Sequence, residues 1–175
     1  FANGPVTSKW GKLRAEMGHP ESFNLELLAI GNEQWESKNV DVAPRYIAFE
    51  KAIHKVYPEI KCLGTAGPFV NHELHTQAWD FYKAECAKNP DFTYAVDEHY
   101  YVEPKWLYEN VDFYDNYPRN IGIFAGEYAG HDENQKNSVE AALAEGAMLT
   151  GMEKNGDIVI ISRFENHQHI SIGKH

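Results

Sequence analysis

Two glutamates stand in contexts that could do chemistry. Glu33 follows the apolar run Leu25-Glu-Leu-Leu-Ala-Ile30 in Gly31-Asn32-Glu33, and Glu127 follows Ile121-Gly-Ile-Phe-Ala125 in Gly126-Glu127-Tyr128. The glycines let the backbone approach a ligand or a neighbouring strand closely. Two carboxylates converging on one rim are the minimum equipment for cleaving a glycosidic bond: one protonates the leaving oxygen, and the other attacks or activates water. The blander alternative is that strand-end glutamates pair with loop arginines, and spacing alone leaves both readings open. Trp35 and Trp106 offer faces on which a sugar could stack, although an aromatic after a strand more often serves as lid or core. His72 and His75 are three apart, and His167 and His169 two apart. Neither pair has a Cys or acidic cluster at matching spacing, so solvated histidines are expected and no metal site is predicted.

These residues are positioned by an alternation that starts after the first 24 residues. Strands are predicted at 25–30, 60–64, 92–96, 121–125 and 157–161. Between them fall four helices. The first runs from Asp41 and Pro44 to Pro58, with Tyr46, Phe49, Ile53, Val56 and Tyr57 at helical spacing. The second spans 75–87 with Ala78, Trp79, Tyr82 and Cys86 on one face, and Pro104 opens the third through Trp106, Leu107, Val111 and Tyr114. Asn137 or Ser138 caps the fourth, where Val139, Ala142, Leu143 and Leu149 share a face and Asn155-Gly156 ends it. Strands alternating with helices imply parallel pairing, in a doubly wound sheet or a (β/α)8 barrel. Four strands end at their C-terminal edge in groups suited to a functional rim: Asn32-Glu33, Gly67-Pro68, Glu98-His99-Tyr101 and Glu127-Tyr128. That spread suits a barrel rim, whereas a doubly wound sheet gathers its ligands at one switch point, usually with a Gly-rich turn that is lacking here. The expected class is α/β, a partial TIM barrel supplying approximately strands 4 to 8.

Composition narrows the function classes. With 16 Lys and Arg against 26 Asp and Glu, the net charge of −10 excludes a nucleic-acid binder held mainly by phosphate contacts. The 43% hydrophobic content indicates a folded, soluble chain and not a disordered one. No apolar run approaches the roughly 18 residues of a membrane span. The opening Phe1-Ala-Asn-Gly-Pro-Val6 has neither initiator Met nor the features of a signal peptide and reads as the interior of a longer chain. The compartment is not specified. Cys62 and Cys86 lack the spacing of a zinc or redox pair and are expected as free thiols.

Three segments in series carry a family resemblance: Trp10-Gly-Lys-Leu-Arg-Ala-Glu-Met-Gly-His-Pro20 with Phe23-Asn24-Leu25 and Ala29-Ile-Gly-Asn-Glu33; Val96-Asp-Glu-His-Tyr-Tyr101; and Phe124-Ala-Gly-Glu-Tyr-Ala129. Together they resemble the catalytic domain of the α-L-arabinofuranosidases of glycoside hydrolase family 51, over most of the chain to about Ile161. The resemblance implies Glu33 as general acid/base and Glu127 as nucleophile of a retaining enzyme that removes terminal α-L-arabinofuranosyl groups without metal or organic cofactor. Asn32 would donate to the sugar 2-hydroxyl, Tyr101 would hold the nucleophile and His99 would orient the same edge, with Trp35 a further substrate contact. Aromatic packing of a strand end is the alternative for Tyr101 and His99. The expected partner is an arabinofuranosyl-containing saccharide, with no nucleic acid or membrane. Residues 1–161 are expected to form the C-terminal part of the barrel, and 162–175, which do not resemble the family, a divergent or artificial tail. The missing strands leave two further readings: an inactive partial barrel that binds sugar, self-associates or needs its other half, and a barrel glycosidase of different sugar specificity.

Overall fold

The computed structural model describes residues 1–36, 41–67, 70, 72–131 and 138–164. Five strands, β1 (Leu27–Ala29), β2 (Lys61–Thr65), β3 (Ala95–Val102), β4 (Gly122–Gly130) and β5 (Val159–Phe164), form one sheet in sequence order, each pair parallel. The helices are α1 (Lys9–Glu16), α2 (Val42–Val56), α3 (Glu73–Cys86), α4 (Pro104–Glu109) and α5 (Val139–Lys154). Every crossover steps the same way, so right-handed connections place their helices on one face. The sheet never reverses its order as a doubly wound sheet must, and the architecture is that of part of a (β/α) barrel. One buried cluster joins sheet to helices, with Tyr46 from α2, Trp79 and Tyr82 from α3, Leu107 from α4 and Met148 from α5 packed on Val96, Tyr100, Ile123 and Tyr128.

Local chemistry fixes the helix ends. The Ser138 hydroxyl accepts from the Ala141 N–H at 3.1 Å to start α5, and Pro104 sits in the first turn of α4, where no N–H is needed. Asn137, the other expected cap, lies outside the described residues, as do Pro68 and the His167 and His169 pair. Helix α1 falls where no element was expected. Ser8 caps it, and the buried Arg14 guanidinium donates to the carbonyls of Phe1, Ala2, Gly4, His19 and Pro20, tying the first twenty residues into a knot.

The face expected to anchor α5 is turned outward. Val139 and Leu143 are 78% and 62% exposed, while Ala141, Ala144, Met148, Gly151 and Met152 face the sheet. Both stripes are apolar, and the smaller side chains allow the closer approach. In α2, likewise, Tyr46 is buried but Phe49, Val56 and Tyr57 are exposed.

The largest departure concerns β3 and β4, which run several residues beyond their expected ends. Asp97 to Tyr101 and Gly126 to Tyr128 are therefore strand, not rim loop. Strand β5 also continues to Phe164, while residues 165–175 lie outside the described set. Between β3 and β4 the register slips: Asp97 pairs with Phe124, but His99 pairs with Glu127. Strand β4 thus spends one more residue than β3, a bulge. Because side chains alternate faces along a strand, that one residue decides which face Glu127 occupies. Without it, Gly126 would lie beside His99 and Glu127 would turn toward the helices.

Candidate active site

Alternation along β3 splits five consecutive polar residues between two faces. Glu98 and Tyr100 point into the helix layer, whereas Asp97, His99 and Tyr101 point to the opposite face. There the structure brings together the two glutamates singled out by sequence.

Glu33 lies in the turn after β1 with φ +56°, a left-handed conformation that costs a non-glycine residue on the order of 1 kcal/mol or more. Its surroundings enforce it. The Glu33 N–H donates to Thr65 Oγ1 at 3.2 Å, and the following 310 turn, Gln34–Glu36, is pinned where the Trp35 indole N–H donates to the Thr65 carbonyl. Thr65 is itself clamped by Tyr82, whose hydroxyl accepts from the Thr65 N–H at 2.9 Å and donates to its carbonyl at 3.2 Å. Trp35 packs against Phe81 and Tyr82, which makes it a buttress of the Glu33 turn. Trp106 is packed on the core against Tyr100 and Phe113. Asn32 is exposed beside Glu33, its N–H donating to Gln34 Oε1.

His99 joins the two acids. Its Nδ1 lies 2.8 Å from Glu33 Oε1 and 3.6 Å from Glu127 Oε2, and its Nε2 lies 3.1 Å from Asp97 Oδ2. The Tyr101 hydroxyl donates to Glu127 Oε2 at 2.7 Å. The His99 side chain is 2% exposed, whereas those of Glu33 and Glu127 are 31% and 29% exposed, so the acids reach solvent and the ring between them does not. Burial alone would lower the His99 pKa. The hydrogen bonds to Asp97 and Glu33 and the charges of Asp97 and Glu127 outweigh it and raise the pKa to about 9.

One donor atom from each of Glu33, His99 and Glu127 lies within 4.8 Å of the others, a spacing a cation would accept. The ring argues against that use: each of its nitrogens faces a carboxylate, and an imidazole protonated at both has no lone pair to offer a metal. What the arrangement can do is deliver a proton from one carboxyl and a nucleophilic oxygen from the other to the same small volume.

Sequence reasoning placed Glu33, Glu127, His99 and Tyr101, and the structure brings all four together. It did not single out Asp97 or Thr65. Extending β3 by two further alternations would have put Asp97 on the face of His99 and Tyr101, so the signal was present. His75 is a correction: expected on the surface, it is buried with Nε2 2.8 Å from Glu98 Oε1, because the N-terminal turn of α3 lies over β3. His72 is exposed, and its Nδ1 accepts from the Leu74 N–H to cap α3. Cys62 and Cys86 are buried free thiols, and burial pushes that of Cys62 up to about 11.

Comparison with known proteins bears on this geometry. The model of the family described as the alpha-L-arabinofuranosidase 1 domain matches residues 1–119. An extracellular exo-alpha-L-arabinofuranosidase of Streptomyces chartreusis is 41% identical over 165 residues, which are 94% of this chain and 18% of that protein. Alpha-L-arabinofuranosidase 2 of Arabidopsis thaliana is 36% identical over 161 residues, 91% of this chain and 21% of that protein. The chain thus spans about a fifth of the length of these curated relatives. Among solved structures, an arabinose-bound family 51 α-L-arabinofuranosidase superposes with a TM-score of 0.71 at 28% identity, covering 94% of this chain and 26% of that one. A family 51 enzyme from Bifidobacterium longum shares the fold, with a TM-score of 0.72 at 13% identity over 94% of this chain and 42% of that one.

Proposed function

Since the chain belongs to the alpha-L-arabinofuranosidase 1 domain family, we propose that it carries the catalytic pair of a retaining glycosidase that removes terminal α-L-arabinofuranosyl groups from plant saccharides. The observation that carries the retaining assignment is the approach of the two acids, which bring one carboxylate oxygen each within 4.8 Å. Retaining enzymes hold their carboxyls about 5 to 5.5 Å apart, whereas inverting ones leave about 6.5 to 9.5 Å for a water between them.

In the first step Glu33 gives its proton to the glycosidic oxygen as a Glu127 oxygen attacks the anomeric carbon, and the saccharide leaves as an alcohol. In the second, Glu33 takes a proton from water, whose oxygen displaces Glu127 and restores both acids. Tyr101 holds the attacking carboxylate in place through its hydroxyl. Asn32, exposed next to Glu33, donates to the sugar 2-hydroxyl, a contact that strengthens as positive charge develops on the ring.

The test is steady-state release of 4-nitrophenol from 4-nitrophenyl α-L-arabinofuranoside by the purified chain, abolished in Glu127→Gln and reduced to a first-turnover burst in Glu33→Gln, whose hydrolysis step lacks its base. Turnover of the corresponding xyloside or glucoside in its place would keep the mechanism and change the sugar.

A second reading has its own observation. Val139 and Leu143, one turn apart on α5, are 78% and 62% exposed and form an apolar stripe on the outer face of that helix. It supports a segment that self-associates or works only against further protein. Sedimentation decides it: a concentration-independent monomer with full turnover would remove this reading.

A further inference from the structure

Asp97 is a buried acid on β3 that the chemistry above does not use. Its Oδ2 meets His99 Nε2 at 3.1 Å, and its Oδ1 has no hydrogen-bond partner among the described residues. Its one side-chain hydrogen bond among the described residues therefore goes to that ring. Two glycines make room for the arrangement: a Cβ at Gly67 would lie 2.8 Å from that of His99, and a Cβ at Gly126 would overlap Asp97 Oδ1.

We propose that Asp97 is a positioning residue of the active site, which by accepting the Nε2 proton of His99 keeps the ring charged and its Nδ1–H directed at Glu33 and Glu127 together. The argument is one of donors and acceptors. A neutral imidazole carries one N–H, so a ring between carboxylates on both sides would turn a lone pair toward one of them. With Asp97 facing Nε2 and one ionised acid, Glu127 or Glu33, facing Nδ1 at each stage of the reaction, only the imidazolium points an N–H at both sides. Among the described residues, the other titratable groups around the ring and its partner are Glu33 from the turn after β1, Glu127 from β4, Tyr101 on the same strand and, from α3, the Tyr82 hydroxyl, which lies close enough to feel the Asp97 charge. Among the described residues no Lys or Arg pairs with any of the three acids, so the ring supplies the positive charge.

This deepens the glycosidase reading and rests on it for its purpose. Before the first step the negative charge sits on Glu127 and Glu33 is a neutral acid. In the covalent intermediate Glu127 is an ester and the charge sits on Glu33. One imidazolium reaching both oxygens stabilises the anion in either place without moving.

The test reads the ring directly. In chain labelled with 15N-histidine, with the His99 signals identified by their loss in His99→Gln, wild-type His99 should show two protonated nitrogens at pH 7.5. In Asp97→Asn its titration midpoint should fall by about one unit or more, since one charged partner is gone, and Asp97→Glu should restore part of the shift. A wild-type ring already neutral at pH 7.5 would overturn the proposal even if the Asn variant failed to fold. An unchanged midpoint in a folded Asp97→Asn chain would overturn it too, and a merely structural Asp97 would give that result. Failure of the glycosidase reading shows separately, as absence of arabinofuranoside turnover with the two-proton ring and its Asp97 dependence intact.

Discussion

Two buried clusters grow from neighbouring residues of β3 and turn to opposite faces. On the helix side, the Glu98 carboxylate is fully buried and takes four donors: Oε1 accepts from His75 Nε2, Trp79 Nε1 and the Tyr117 hydroxyl at 2.8, 2.7 and 3.0 Å, and Oε2 from the Tyr114 hydroxyl at 3.0 Å. The Tyr100 hydroxyl continues the chain to Tyr114 at 3.2 Å. On the other face, three carboxylates share one imidazole and the Tyr101 hydroxyl, and two of the three reach solvent. The first cluster matches donors to acceptors in a dry interior and locks α3 and the segment after α4 onto the sheet. The second leaves acceptor capacity unspent at an accessible point. Surplus acceptors held close together destabilise a fold, and they are what a glycosidase uses. The lesson lies in the ratio of donors to acceptors, because residue types alone do not separate the clusters: each contains a buried carboxylate–histidine pair.

If the contrast is right, the two clusters should fail in opposite ways. Glu127→Ala should lower arabinofuranoside turnover on the order of 10⁴-fold or more while leaving thermal unfolding nearly unchanged, since removing one of several crowded acids relieves repulsion. Glu98→Ala should do the reverse, leaving buried donors without an acceptor and costing about 3 to 5 kcal/mol in denaturant unfolding. A Glu98 variant of normal stability would show that the helix-side network is not structural.

A pH titration of stability sharpens the same contrast. The His99 pKa is raised from 6.5 in the ordinary state to about 9 in the fold. Its stabilising contribution is therefore fully present below about pH 6.5 and is lost as pH rises through about 9, on the order of 3 kcal/mol in all. Urea unfolding at pH 6 and pH 9 should show that decline, and His99→Gln should flatten it. The smallest effect is expected for Tyr101→Phe. It removes one hydrogen bond to a charged group, worth about 1.5 to 3 kcal/mol, which should appear as a roughly 10- to 100-fold loss of turnover with little change in melting temperature.

Much of this was legible in the sequence. The strand–helix alternation and the family 51 resemblance carried by three segments hold, and the two glutamates that stood out in the sequence lie beside one imidazole in the fold. What escaped has physical causes. The polar run Asp97 to Tyr101 looked like a loop because polar side chains rarely fill a strand on both faces, and here both faces are occupied by hydrogen-bonded clusters. The β4 bulge leaves only Gly126 as a trace, and a glycine next to an acid signals close approach without saying that Asp97 is what approaches. The inward face of α5 was misread because its packing stripe of Ala141, Ala144 and Gly151 is less hydrophobic than the exposed stripe of Val139 and Leu143. Helix α1 depends on Arg14 capturing five carbonyls, a long-range device with no periodic signature.

The central claim is that Glu127 becomes covalently bonded to the sugar while Glu33 supplies and recovers the proton. An activated aryl α-L-arabinofuranoside needs little protonation of its leaving group, so Glu33→Ala should still form the glycosyl-enzyme yet hydrolyse it slowly for want of a base. Mass spectrometry of that variant after brief exposure should find one anhydropentose added, located on the peptide containing Glu127 and absent when Glu127 is also replaced by Gln. Release of the aryl group with no adduct, or an adduct on any other residue, would contradict the account.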